Sequence, residues 1–196
     1  FQSDATLSAN FESMMKIDKL VGDEGVGKQF KSLTQKTGEI LANPTGPNIA
    51  ALEIGGWDTH ANQGSVNGRL SNQLKLLDSG LAALKQALGK QWQRTVVIAA
   101  SEFGRTAREN GTKGTDHGTA NVMLVAGGAI NGGQVLGDWP GLGEAELYQG
   151  RDLKPTTDMR SVIKGVLGQH LSVSADKLET IFPQSEQAPP WKFDFV

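Results

Sequence analysis

A run of regularly spaced leucines constrains the fold of this 196-residue chain more than any other feature. The leucines recur at steps of four, three, four, three and four residues, at Leu70, Leu74, Leu77, Leu81, Leu84 and Leu88. Because an α-helix has about 3.6 residues per turn, this spacing puts all six side chains on one face. The sequence therefore predicts an amphipathic helix over roughly residues 66–89.

Two short apolar runs flank this helix, and both are typical of buried strands. The first is IAALEI, residues 49–54, and the second is QRTVVIAAS, residues 93–101. A strand, a crossover helix and a second strand predict a right-handed βαβ unit with parallel strands. A third run, NVMLVAGG at residues 121–128, predicts a further strand. The expected fold class is therefore α/β.

Apolar residues at helical spacing predict three more helices. They cover residues 4–20, 26–42 and 156–171, the last with Thr157 as its N-cap.

The length of the chain suits a single domain with a sizeable core. We divide it into a helical lead-in, residues 1–45, a core, residues 46–182, and a proline-rich tail over the surface, residues 183–196. Hydrophobic residues make up 38% of the chain and its formal net charge is −2, so no basic block indicates binding to nucleic acid. No apolar run is long enough to span a membrane. The absence of cysteine excludes disulfides, thiolate metal sites and a cysteine nucleophile.

Polar side chains follow the two predicted parallel strands, at the edge where α/β proteins bind ligands. Asp58 and His60 follow the first strand, and Glu102 and Arg105 follow the second. Residues two apart in extended backbone point to the same side, so Asp58 and His60 can face one ion. Carboxylate oxygen and imidazole nitrogen are the ligands that divalent ions take when thiolates are absent.

Asp116 and His117 reach the same edge if the strand that follows them runs antiparallel, which we assume. The sequence then predicts a divalent metal site made by Asp58, His60, Glu102, Asp116 and His117. In this site Asp116 either binds the ion or orients an imidazole. Positive charge for an anionic substrate comes from Arg105, Arg108 and Lys113.

Each of these groups also has a structural interpretation, which spacing leaves open. The alternatives are a turn cap for Asp58, a surface position for His60, a helix start or ion pair for Glu102, a turn for Asp116 and His117, and a solvated side chain for Arg105. The stretch GRDLKPTTD, residues 150–158, is interpreted as a turn into the last helix, with Arg151 and Asp152 as candidates to border the site.

Four motifs, in this order, resemble a family of exported bacterial proteins catalogued as a domain of unknown function, DUF 1501. They are GGWDTHANQ, SEFGRTARENGTKGTDHGTA, GDWP and GRDLKPTTDMRSV, and the likeness runs from about residue 50 to residue 182. That family looks like a branch of the alkaline phosphatase superfamily. The resemblance implies a mixed sheet flanked by helices, one or two divalent cations, and hydrolysis of phosphate or sulfate esters.

The resemblance also implies a role for individual residues. It makes Asp58, His60, Glu102 and His117 metal ligands and Arg105 an oxyanion contact. Phe103 stands where the superfamily has a histidine ligand, and a phenyl ring cannot bind a metal. One complete ion site is therefore better supported than two.

The superfamily's nucleophile lies near an early strand that precedes all of these motifs. The chain is therefore expected to be the carboxyl-terminal half of a longer protein, periplasmic or extracellular, with an incomplete active site. The expected function is metal-dependent hydrolysis of an anionic phosphate or sulfate ester. The alternative is a non-catalytic module on the same fold that recognises an anionic polymer or a partner protein, which Phe103 favours. The sequence leaves open whether the protein is an enzyme, and whether the metal is Zn, Mn, Ca or Mg.

Overall fold

The computed structural model describes residues 26–196. These residues form two compact units, one ending at Trp92 and the other running from Gln93 to Val196. The described residues contain four α-helices and two small antiparallel sheets, so the fold is mixed α/β as expected. The predicted helix over residues 4–20 lies outside the described residues. None of the helices within residues 26–196 combines the length and apolar character that crossing a bilayer requires.

Two packed helices make up most of the first unit. α1 covers Val26–Leu41 and α2 covers Arg69–Leu88, which confirms both helices within a few residues of their predicted ends. Phe30 of α1 and Leu84 and Leu88 of α2 are buried, so the leucine pattern marks an inward face toward the end of α2, whereas Leu74 is 50% exposed. A 3-10 helix, Gly89–Arg94, follows α2 directly.

Residues 49–54 do not form the predicted buried strand. The segment pairs with no strand among the described residues, and the side chain of Ile49 is 65% exposed. A strand needs a neighbour that accepts and donates its backbone hydrogen bonds, and an apolar run cannot specify that neighbour. The predicted parallel βαβ unit is therefore wrong, because every strand pair within residues 26–196 is antiparallel.

The second unit contains four short strands in two pairs. β1, Val97–Ala99, pairs with β4, Leu124–Ala126, with Ile98 opposite Val125. β2, Gly104–Arg105, pairs with β3, His117–Gly118, with Arg105 opposite His117. The strands at 93–101 and 121–128 are thus confirmed in shorter form, and the assumed antiparallel direction of the latter is correct.

Two helices complete the second unit. α3, Met159–Gln169, begins after Asp158, whose side chain accepts a hydrogen bond from the backbone of Arg160. Asp158 is therefore the N-cap, and the prediction of Thr157 in that role is wrong by one residue. α4, Ala175–Ile181, was not predicted, although Ser174 occupies its N-cap position.

The carboxyl-terminal tail is attached to α3 by a buried lysine. The ammonium group of Lys164 donates to the carbonyl oxygens of Ser185 at 2.8 Å and Ala188 at 2.9 Å. The backbone N–H of Trp191 donates to the carbonyl of Ser161, and Phe195 forms a β-bridge with Ile130. The tail therefore does more than lie over the surface, since its backbone is bonded at several points.

We expect Lys164→Met to lower the free energy of unfolding by about 2–3 kcal/mol. The substitution keeps the length of the side chain but leaves two partly enclosed carbonyls without their charged donor. Urea denaturation measures the change, with Lys177→Met on the exposed surface of α4 as the control. Equal stability of the two variants would contradict a structural role for Lys164.

The α1–α2 contact predicts a second effect on stability. A Cβ atom on Gly38 would lie 2.6 Å from Ala87 Cβ and 3.0 Å from the carbonyl oxygen of Leu84. We expect Gly38→Ala to destabilise the protein by roughly 1–2 kcal/mol, because the clash outweighs the gain in helix propensity. In α3, a Cβ on Gly168 meets nothing closer than 3.5 Å, so Gly168→Ala should be neutral or stabilising in the same denaturation experiment.

Candidate functional site

Asp58 and His60 lie in a turn that leads into α2. The side chain of Thr59 between them is buried, and its hydroxyl donates to Gln63 Oε1 at 2.8 Å. Thr59 faces the interior of the unit, whereas Asp58 and His60 on either side of it face outward. His60 Nε2 lies 2.9 Å from Asp58 Oδ1, and the two side chains are 44% and 65% exposed. The predicted juxtaposition of these two residues is confirmed.

The first turns of α2 hold this loop in place. The backbone N–H of Leu70 donates to the carbonyl of Gln63, and the guanidinium of Arg69 donates to the carbonyl of Ala61. Gln73 donates to the carbonyl of Gly55 at 3.1 Å. The loop is therefore held by α2 as well as by the hydrogen bonds of Thr59.

Asp58 and His60 can each offer one ligand atom to a metal ion. Two ligands that lie about 2.0–2.2 Å from one ion are roughly 3 Å apart, which is close to the observed separation of the oxygen and the nitrogen. This carboxylate–imidazole pair could therefore hold a metal ion, while the structure identifies no metal.

In the second unit, the β2–β3 hairpin presents Arg105 and His117 side by side. Arg105 Nε donates to Thr115 Oγ1 at 3.1 Å, and a terminal nitrogen of the same guanidinium donates to the Thr115 carbonyl. Part of the guanidinium is thus used to hold the hairpin turn. The predicted contact of Arg105 with an oxyanion stays a prediction.

His117 is exposed and can also offer a ligand atom to a metal ion. Its ring centroid lies 4.4 Å from that of Phe103, with the two rings tilted by 41°. Phe103 cannot bind a metal, but its ring packs against a side chain that can. No spacing in the sequence indicated this contact.

Glu102 and Asp116 occupy different surroundings in the same unit. Glu102 lies exposed in the bend between β1 and β2. Asp116 Oδ1 accepts a hydrogen bond from Asn110 Nδ2 at 2.9 Å, and the Asp116 backbone N–H donates to Thr106 Oγ1. These bonds organise the loop before β3, and metal binding by Glu102 or Asp116 stays a prediction.

The structure gives Asp152 a larger role than the sequence indicated. Asp152 is only 3% exposed, and its Oδ2 accepts hydrogen bonds from the backbone and the hydroxyl of Thr119, at 3.0 and 2.8 Å. Its backbone forms β-bridges with Thr106 and Tyr148. The Arg151 guanidinium and Thr119 hold the pKa of this carboxyl below its usual value, against the opposing effect of burial. Asp152 therefore joins three separate segments as a buried charge.

A family of known proteins matches most of the chain. The family is described as "Protein of unknown function (DUF1501)", and the match covers residues 33–182. No curated protein and no solved structure matches the chain. Because the match extends over well over half of the sequence, the chain belongs to the DUF1501 family.

Proposed function

We propose that Asp58 and His60, with His117 as the sequence predicts, bind one divalent metal ion. The observation that carries the proposal is the 2.9 Å separation between Asp58 Oδ1 and His60 Nε2 on the exposed side of a fixed loop. The donor set fits such an ion, because it combines carboxylate oxygen with imidazole nitrogen and contains no thiolate.

A turn cap alone is the simpler explanation of Asp58, and the local geometry favours the metal site over it. The N–H of Thr59 donates to the carbonyl of Trp57, and the Thr59 hydroxyl donates to Gln63. These bonds close the turn on its buried side. Asp58 and His60 flank the turn on the other side, where an ion can approach from solvent.

We further propose that the metal serves hydrolysis of a phosphate or sulfate ester in an alkaline-phosphatase-like fold. The resemblance of the motifs supports this part of the proposal. A bound divalent ion would polarise an ester oxygen and stabilise the charge that develops on it. Glu102 would add a ligand oxygen, Asp116 would bind the ion or orient an imidazole, and Arg105 would contact the oxyanion. A periplasmic or extracellular location belongs to the same proposal and has the same support.

One observation favours a non-catalytic binding module instead. By the resemblance to the alkaline phosphatase superfamily, Phe103 stands at the position of a metal-binding histidine, and its ring centroid lies 4.4 Å from that of His117. A site that has lost one ligand can retain an ion for recognition of an anionic polymer or a partner protein without turnover.

We expect the purified chain to bind one equivalent of Mn²⁺ or Zn²⁺ after removal of metal with a chelator. His60→Ala and Asp58→Asn should each weaken binding at least tenfold, because each removes one ligand atom. Isothermal titration calorimetry gives the affinity, and elemental analysis gives the stoichiometry. His170→Gln is the matched control, since this third histidine stacks on Phe195 at the end of α3.

His117→Ala tests whether the third ligand joins the same ion. A tenfold loss of affinity at unchanged secondary structure supports the three-ligand site, and an unchanged affinity removes His117 from it. A wild-type chain that takes up no ion, or a His60→Ala variant that binds as tightly as wild type, would contradict the metal site.

Ester hydrolysis needs its own experiment. Because the resemblance predicts the nucleophile on a segment preceding these motifs, the assay uses the longest natural form of the protein with p-nitrophenyl phosphate and p-nitrophenyl sulfate. We expect metal-dependent release of p-nitrophenol that His60→Ala reduces at least a hundredfold in kcat/KM, since a lost metal removes its charge stabilisation. Full metal occupancy without hydrolysis of either ester would support the binding module.

A further inference from the structure

Arg151 is held in a fixed orientation by the buried carboxylate next to it in sequence. Its Nε lies 2.8 Å from Asp152 Oδ1, and one terminal nitrogen donates to Asp152 Oδ2 at 3.1 Å. The arginine therefore contacts both carboxylate oxygens, with a hydrogen bond to Oδ2 and an ion-pair contact to Oδ1. Asp152 is fixed in turn by Thr119, so the guanidinium is attached to the interior of the unit although the Arg151 side chain is 62% exposed.

The same guanidinium lies beside His117. The terminal nitrogen that contacts Asp152 also lies 3.4 Å from the carbonyl oxygen of His117. The other terminal nitrogen makes no hydrogen bond with any residue between 26 and 196. The two N–H groups of that nitrogen are thus available for a ligand, close to the backbone of a proposed metal ligand.

We propose that Arg151 binds the anionic group of the ligand, a tetrahedral oxyanion such as a phosphoryl or sulfuryl group. The proposal rests on the metal site proposed above, because His117 is one of its ligands. A guanidinium whose orientation is already fixed loses little side-chain freedom when it binds an oxyanion, and its second terminal nitrogen can donate to the oxyanion oxygens. Asp152 is the positioning residue that holds Arg151 in place.

The other two arginines of this region are not held by a buried carboxylate. Arg105 also uses two nitrogens of its guanidinium, but they bind the uncharged Thr115. Arg108 is well exposed, and its ion pair with Glu144 is loose, with a nitrogen–oxygen distance of 3.9 Å. Neither side chain is both anchored by a buried carboxylate and close to the backbone of His117, as Arg151 is.

The local charge makes anion binding depend on the metal. The carboxylates of Asp152 and Asp116 raise the pKa of Arg151, so the guanidinium stays positively charged. Two carboxylates beside one guanidinium leave a net negative formal charge, which weakens the attraction for an anion. We therefore expect a sulfate ion to bind strongly only when a divalent cation adds positive charge at the site.

Calorimetric titration of sodium sulfate into the Mn²⁺-loaded chain tests the inference. We expect Arg151→Gln to weaken sulfate binding at least tenfold with Mn²⁺ affinity unchanged. Arg151→Lys should lie between this variant and wild type, because an ammonium keeps the charge but lacks the planar guanidinium that Asp152 holds in place. Arg94→Gln, a matched control at an exposed arginine of the same unit, should bind sulfate within twofold of wild type. Circular dichroism and the unfolding midpoint verify that each variant is folded.

The outcomes separate this inference from the proposed metal site. If Arg151→Gln binds both Mn²⁺ and sulfate as wild type does, or if the loaded wild-type chain binds no sulfate, the role of Arg151 is overturned and the metal site stands. If the wild-type chain binds no metal, the proposed metal site is overturned. Sulfate titration without metal then tests the role of Arg151 alone. Sulfate binding that Arg151→Gln abolishes would then keep the role of Arg151, whereas no binding would overturn both.

Discussion

The region around His117 in the second unit depends on the buried carboxylate of Asp152. Transfer of a carboxylate out of water is costly unless hydrogen bonds and a counter-charge replace the lost hydration. Here Thr119 supplies two hydrogen bonds and Arg151 supplies the counter-charge. The need to satisfy this group fixes the spacing between the His117–Gly118 strand and the turn at residues 148–152. It thereby fixes the segment that presents His117 to solvent.

The same division between buried anchor and exposed chemical group recurs in the first unit. Thr59 is buried and hydrogen-bonded to Gln63, while Asp58 and His60 on either side of it face outward. In both units a buried polar side chain, rather than a large apolar core, positions the proposed metal ligands. Such an arrangement keeps a loop in place without covering the groups that must reach a ligand.

The sequence predicted features that depend on neighbouring residues better than contacts between residues far apart in the chain. Leu70 to Leu88 predicted α2 almost to its ends, because helical periodicity is a local property. Asp58 and His60 were predicted to face the same side, since alternation over three residues is also local. The strand predicted at residues 49–54 does not form, because an apolar run does not specify which strand it pairs with.

The hydrogen bonds between Asp152 and Thr119 join residues 33 positions apart and produce no periodic pattern in the sequence, so they are seen only in the three-dimensional structure. The N-cap moved from Thr157 to Asp158 because neighbouring capping residues compete and sequence alone does not rank them.

The attachment of the carboxyl-terminal tail has a consequence for how this protein is handled. Residues 183–196 contain no helix, and an inspection of secondary structure would treat them as dispensable. Yet Lys164 bonds to the carbonyls of Ser185 and Ala188, and the N–H of Val196 donates to Ala129. Trimming the chain at its carboxyl end would leave the buried ammonium of Lys164 without its hydrogen-bond acceptors and expose one side of α3. Shortened versions made for crystallisation or display should therefore keep the tail. A protease cleavage site is better introduced in the glycine-rich loop around Val135, which is fully exposed.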